Sequence, residues 1–514
     1  MGKSSLKPCK WKLAVILTLL TVMIPFASAA AAPPEKVVKW ANGDWKSLDP
    51  AFVTGALESY VVMNIFSGLV TWNYGSVEII PDLATSWTIS PDGTVYTFKL
   101  RQGVKFHKGF GECTAEDVKY SFDRILDPKT GAYLAKNYKM IKEVKVVDKY
   151  TVQFTLDGPY GPFLMLMVPF KATGIVKKEA VEKFGDKFGL NPVGTGPFEW
   201  VSGNPRADVV LKAFDEYYGG RPKLDKVVFP HIVDDSTSYV AFEGKDLDMV
   251  NVQDPEILKR YKADPKIEIQ SRAGLNINYL VMNTQEKPFS ELKVRQAVAH
   301  AINQKALIDT VLQGLATPLT GPIPNDCDYY EPNVTQYPYD PAKAKKLLAE
   351  AGYPNGFDTT IYTFIWGPAV SVVTAIQGML KEVGINAKIQ ADEPSANFEK
   401  VSTGKTPIGL FRLTRPPEPN DYLFVQLHPD SFPQWNFGHY NNPKVTELMA
   451  QGLKVTDPAK RKDIYSQIQK TVKDDCPNIW LYSDKVTVAY HNYVKGFKLD
   501  PLWTKRMFPV NIEK

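Results

Sequence analysis

The stretch NPVGTGPFEW (191–200) sets Gly194 and Gly196 on either side of Thr195, the residue types of a loop that wraps a phosphate. A dinucleotide loop needs a third glycine three residues on and a helix N-terminus behind it. Position 199 is Glu199, and Pro197 followed by Phe198, Glu199, Trp200 and Val201 reads as the start of a strand. Gly404-Lys405-Thr406 has the ending of a P-loop, but the glycine that should lead it falls at Glu399. Both nucleotide readings fail on spacing. The six histidines, His107, His231, His300, His428, His439 and His491, are scattered, and each reads as a core or surface residue rather than a metal ligand. Adjacent carboxylates at Asp234-Asp235 and Asp474-Asp475 read as solvated turns. No His-Glu-x-x-His and no Gly-x-Ser-x-Gly occurs, so nothing joins a nucleophile, a base and an oxyanion hole. These residues call for no cofactor and no metal, and the chain is expected not to be an enzyme. A secreted hydrolase is the alternative from another class; it would require an activity lost on changing a single acid or histidine.

The elements that would position a site are legible from periodicity and caps. SWTISPDGTVYTFKL (86–100) is a hairpin pattern around Asp92-Gly93, and KVVDKYTVQFTL (145–156) is a second. In TAEDVKYSFDRI (114–125), Thr114 caps a helix with Asp117 answering at N3, and Val118, Phe122 and Ile125 share one face. SELKVRQAVAHAINQKALIDTVLQG (290–314) reads as one helix with a Ser290 cap and Gly314 beyond its end. In YDPAKAKKLLAEAGY (339–353), Asp340 caps, Pro341 sits at N1 and Gly352 stops the helix. VVTAIQGMLKEVGINAKIQ (372–390) runs as a helix through Gly384 into a strand. Helices alternating with strands in both halves indicate mixed α/β architecture.

Length and charge bound the rest. A chain of 514 residues exceeds one compact core, so two or three domains are expected. Lys3, Lys7, Lys10 and Lys12, the apolar run 13–26 and Ala27-Ser28-Ala29 have the form of a cleaved secretory leader over 1–29. Without those four lysines the formal charge of +5 falls to about +1. No basic block or stripe suits nucleic acid. The aromatic content of 12% is high enough to line a pocket for an organic ligand.

LDPAFV, IFSGLV, PDLATSWTISPDGTVYTFKLRQGVKFH and TAEDVKYSFDRI together resemble the N-terminal half of the family 5 extracellular solute-binding proteins, the peptide-, nickel- and opine-binding proteins of ABC importers. NPVGTGPFEW, YYGGRPKLDKVVF, KPFSELKVRQAVAHAIN, YDPAKAKKLLAEAGYPNGF and KRKDIYSQIQKTVKDDCPNIWLY follow in the family's order, so the resemblance runs from about residue 37 to the end. It implies a two-lobed periplasmic binding protein fold with a two-stranded hinge. Lobe I would span 30–272, with an extra subdomain over about 75–190; lobe II would span 273–487; and 488–514 would return to lobe I. It implies a periplasmic monomer that captures a small peptide-like or organic-anion solute and delivers it to an inner-membrane permease with its ATPase. A nickel-chelate or opine cargo is the alternative within the family. It also makes the Gly194-Thr195-Gly196 stretch a structural return between subdomains.

After the leader's Cys9, three cysteines remain: Cys113, Cys327 and Cys476. An oxidising compartment allows one disulfide among three pairings, and Cys327–Cys476 is preferred because both fall in the later lobe.

The ligand-facing residues follow from FRLTRPPEPNDYLF (411–424). The resemblance implies an aspartate three residues before an acidic-Pro pair, where ordinary peptide binders hold the peptide's ammonium. Here the pair is Glu418-Pro419, and that position is Arg415, which would repel an ammonium. Arg412 adds a second positive charge, and Thr414 lies between them. Dipeptide binders also place an arginine before the helix that begins here near Val370; the corresponding stretch YTFIWGPAV holds Trp366 and no arginine. The expected ligand therefore brings an anionic group to Arg415 and an organic body to Trp366, with Trp435 and Thr54 as further contacts. The competing reading has Arg412 and Arg415 paired internally with Glu393, Glu399 or Glu418.

Overall fold

Local rules place most of the elements. In the computed structural model, which describes residues 1–2, 34–53, 55–365, 367–432 and 435–514, Thr114 and Asp117 form a capping box at the start of the helix Ala115–Leu126. Its face of Val118, Phe122 and Ile125 is at most 2% exposed. The strands Ala84–Ile89 and Val95–Leu100 pair antiparallel around Gly93, whose φ of 72° a side chain would resist. Thr151–Leu156 and Ile141–Asp148 extend them to a four-stranded antiparallel sheet, against which the helix packs. The helix Pro341–Glu350 has the expected Asp340 cap, bonded to Lys343 N at 2.9 Å. Nearly all of the leader expected over 1–29, together with Thr54 and Trp366, lies outside the described residues.

A second four-stranded sheet orders Val37–Lys39, Lys226–Phe229, Val209–Ala213 and Phe198–Ser202, with its first pair parallel. The largest sheet has eight strands. Its spine is Asn478–His491, fourteen residues long. The first half of this strand pairs with Asn276–Met282 and Ala316–Pro318; the second half pairs with Ile267–Ala273 and Met249–Asn251. Ile408–Thr414, Phe357–Phe364 and Ile385–Asp392 continue the sheet beyond Asn276–Met282. The spine serves three hydrophobic clusters: Val486, Val488 and Tyr490 enter the first, Ile479, Leu481 and Tyr482 the second, and Ala489 the third.

Where the chain passes from Ile267–Ala273 to Asn276–Met282, it is tied to the spine. Gly274 N donates to Asp484 O at 3.0 Å, and Asp484 N donates to Asn276 Oδ1 at 2.8 Å. A Cβ on Gly274 would fall 2.8 Å from Asp484 O, so only glycine fits this close crossing.

Two expectations fail. The helix expected over 290–314 is interrupted: Leu292–Ala301 ends at an extended Ile302, and Asn303 accepts from Ala306 N at 3.0 Å to start a new turn that runs into the π-helical Leu307–Val311. Asparagine competes for backbone donors and therefore caps rather than continues a helix. The initial cap position is Glu291, not Ser290. The Cys327–Cys476 disulfide is not formed. Both are free, buried thiols, and they belong to different hydrophobic clusters despite lying in the same later part of the chain. Burial pushes the Cys327 thiol well up and that of Cys476 up to about 12, which leaves them unreactive. Among the described residues no helix is long and apolar enough to cross a membrane.

Candidate functional site

The glycine loop that suggested a phosphate is consumed by the protein itself. Gly196 N donates to Ile65 O at 2.8 Å, and a Cβ on Gly194 would lie 2.2 Å from the same oxygen. His107 Nε2 donates to Gly196 O at 2.9 Å, while Nδ1 accepts from Gly194 N at 3.4 Å. That pattern needs the neutral imidazole, and burial pushes His107 down to about 4. The loop seats a helix end, and its Gly194 and Gly196 N–H groups are spent on the protein.

Three cavities share walls in series. The first, about 460 Å³, is lined by Asp235, Gln253, Trp503, Asn278, Arg412 and Asp484 among others. The second, about 360 Å³, shares Phe364 and Arg412 with the first and continues past Tyr279, Phe411 and Trp435. The third, about 350 Å³, shares Asp235, Gln253 and Trp503 with the first and ends at Trp40, Tyr60 and Lys505. Together they form one cleft, with Arg412 shared by the first and second cavities and Trp503 by the first and third.

Strand register builds its middle. Arg412 pairs with Asn278 across one ladder and Asn278 with Tyr482 across the next, so the spine brings Asp484 to Arg412. Arg412 Nε donates to Asp484 Oδ2 at 2.8 Å, and the two side chains keep 23% and 26% of their exposure. Arg412 is thus internally paired and still faces the cleft. Glu418, one of the partners weighed for the arginines, is taken by Arg461 at 2.8 Å in a pair sealed from solvent.

Arg415 lies just beyond the strand Ile408–Thr414. The Tyr422 hydroxyl holds its backbone, donating to Arg415 O at 2.7 Å, and its guanidinium lies 5.3 Å over the Trp435 ring. Among the described residues no carboxylate comes within ion-pair distance of it. Burial pushes the nearby Asp421 carboxyl up to about 6, with Arg415 and then Lys171 pulling it back. Trp435 is 38% exposed and packs on Phe398, with ring centroids 5.0 Å apart, beside the stacked Phe411 and Phe437. Thr414 is exposed at the strand's end, opposite Asn276 in register.

Sequence reasoning missed Asp484, Asp235, Trp503 and Lys505. Asp484 is 72 residues from Arg412, and Lys505 is one of two adjacent cations with no motif around them; neither gives a local signal.

Comparison with known proteins gives a consistent answer. The family described as "Bacterial extracellular solute-binding proteins, family 5 Middle" matches residues 78–434. A protein of Pectobacterium atrosepticum named glutathione-binding protein GsiB is 32% identical over 505 residues, covering 96% of each chain. The structure of HbpA2 from Haemophilus parasuis superposes with a TM-score of 0.86 at 29% identity, over 94% of this chain and all of that one. The ABC transporter-associated periplasmic binding protein DppA of Helicobacter pylori, in complex with the peptide STSA, gives 0.76 at 32% identity, over 93% of this chain and 98% of that one.

Proposed function

Because the chain belongs to family 5 of the bacterial extracellular solute-binding proteins, we propose that it is the capture component of an ABC importer in the periplasm. It holds a peptide-like or organic-anion solute between two lobes and presents the closed form to an inner-membrane permease and its ATPase. It acts as a monomer, catalyses no reaction, and is exported on the leader over 1–29. Lobe I takes in 30–272, with an extra subdomain over about 75–190, and is completed by 488–514; lobe II is 273–487. Solute contacts that are tighter in the closed arrangement would draw the population toward it.

The observation that carries this reading is the cleft with the Arg412–Asp484 pair in its middle. A partly solvated pair contributes little to folding, so two charges held at a cavity wall are better explained by a solute that uses them. Arg415 supports an anionic group on that solute. It stands where ordinary peptide binders of the family carry an aspartate, and its planar fork suits a carboxylate. The relative named for glutathione supports an acidic peptide: glutathione has two carboxylates, one ammonium and a first peptide bond made through a side-chain carboxyl.

A thermal-shift panel on the protein without its leader tests the reading. It should contain glutathione, N-acetylated and acidic dipeptides, opines, ordinary dipeptides, and Ni²⁺ with and without histidine. A solute at about a hundred times its Kd stabilises by about 2.7 kcal/mol. The expected result is a shift with anionic or N-blocked compounds that Arg415→Ala abolishes. A shift with ordinary dipeptides that survives Arg415→Ala would remove the solute assignment and leave the family membership standing.

A further inference from the structure

The end of the cleft remote from Trp435 holds a cation that the fold does not explain. Lys505 is 2% exposed. Its ammonium donates to the Ala41 carbonyl and, at 3.1 Å, to Asn42 Oδ1, which leaves one N–H. The rings of Trp40 and Tyr60 flank it at 5.2 and 5.3 Å. Among the described residues no carboxylate comes within ion-pair distance of it, although it lines the 350 Å³ cavity. A buried ammonium without a counter-charge is unfavourable and gives up its proton readily unless something pairs with it.

A second donor belongs to a residue that lines the same space. Trp503 lines both this cavity and the central one, and its indole Nε1 is buried without an acceptor. Its backbone sits at φ 59°, a conformation that a bulky side chain adopts only under tertiary constraint. The segment is held firmly. Asp500 accepts from Leu502 N at 2.9 Å and Thr504 N at 3.2 Å, while Asn64 donates to Lys505 O at 2.8 Å and accepts from Met507 N at 2.9 Å. Donors held in advance at the wall of a cavity are what anion recognition needs.

We infer that Lys505 and the Trp503 indole N–H form a second anion-recognition point, which takes a carboxylate of the solute at the end of the cleft opposite Trp435. This rests on the cleft's being the solute site. The chemical class narrows accordingly, to solutes with anionic groups toward both ends, one at Arg415 and one at Lys505.

The charge environment makes the inference measurable. Asp44, paired with His231 at 2.6 Å, and Asp235 line the same cavity. Tyr60 faces Lys505 across the cage, its hydroxyl raised by burial and then by Asp500, with Arg412 opposing. Asp500 and Arg506 flank Lys505 on its own segment. For Lys505 itself, burial pushes the pKa down to about 7. A carboxylate placed beside it raises that value, so binding above pH 7 takes up a proton and affinity falls as the pH rises through 7.

The test is titration calorimetry of the protein without its leader, from pH 6 to 8.5, in buffers of different ionisation enthalpy. The ligands are glutathione, an N-acetyl dipeptide and an ordinary dipeptide, each also as its C-terminal amide. Lys505→Met is isosteric, and Trp503→Phe keeps the ring while removing the donor; thermal melts verify that both variants fold. For whichever carboxylate binds, the expected result is a loss of at least tenfold in Lys505→Met, a smaller loss in Trp503→Phe, weaker binding of the amide, and proton uptake above pH 7 that Lys505→Met removes. Unchanged affinity in both variants, or binding independent of pH, overturns the proposal. Sensitivity to Lys505→Met without sensitivity to Arg415→Ala supports this site and removes the Arg415 reading. A panel in which no carboxylate binds overturns both.

Discussion

Arg295 and Lys505 are both buried cations, and their surroundings assign them opposite work. The Arg295 guanidinium donates to four backbone carbonyls: Phe289 at 2.8 Å, Ser290 at 3.0 Å, Asp475 at 2.8 Å and Cys476 at 3.1 Å. Two of these lie at the end of the helix Pro458–Asp475, where unpaired carbonyls and the helix dipole favour a cation. Its hydrogen bonds close on the protein, and it lines none of the three cavities of the cleft. Lys505 reaches two acceptors and a volume that could hold part of a solute. The Arg461–Glu418 pair resembles Arg295 in being sealed, and Arg412–Asp484 resembles Lys505 in facing the cleft. Burial of charge alone therefore does not distinguish structural from ligand-facing groups; whether donors remain unspent at a cavity does.

Breaking a sealed group should cost the most stability. Arg461→Met strands Glu418 without its counter-charge and is expected to lower unfolding free energy by about 3–5 kcal/mol in urea titration. A loss under about 1 kcal/mol would show that the pair is not sealed. Arg295→Met should cost about 2–4 kcal/mol in the same assay, through carbonyls left without donors, and should leave solute affinity unchanged. Asp484→Asn belongs to the other class. Its stability change should stay below about 1 kcal/mol, while calorimetry should show solute binding weakened about tenfold. A large stability loss there would move Arg412–Asp484 to the structural side.

The pH dependence sharpens the contrast. The folded-state pKa of Lys505, pushed down to about 7, lies below its ordinary value of 10.5. Between those values the unfolded chain holds more protons, so the stability of the unliganded protein gains from this group as pH rises from 7 to 10. Lys505→Met should remove that contribution, read as a flatter curve of melting temperature against pH. The smallest effect should come from reductant: with Cys113, Cys327 and Cys476 all free, dithiothreitol should leave the melting temperature where it was.

Legibility in the sequence followed the range of the interaction. Thr114 and Asp117 lie three residues apart, and their capping box was readable because everything it needs is local. The same holds for the turn at Gly93 and the helix after Asp340. Asn303 shows where local reading stops: apolar spacing continued through it, and a side-chain cap broke the helix. The cysteine pairing failed because sharing a stretch of chain does not mean sharing a core. Arg412 and Arg415 stood out as unusual charges in an apolar strand and its exit, yet the partner of one is set by sheet register across two ladders. Lys505 was invisible because the carbonyls and rings around it come from residues 40–60, more than four hundred positions earlier.

That last separation has a consequence for how the chain folds. Asn64 binds the backbone of Lys505 and Met507, and Arg506 donates to Trp72 O and, at 3.0 Å, to Asn73 O. The core around Asn64 and Trp72 is thus finished by residues more than four hundred positions later in the chain. Contacts of such long range form slowly and cannot form at all until both segments are present. A polypeptide that has not yet brought residues 505–507 into place carries a first half without its closing piece, and the native state waits for them.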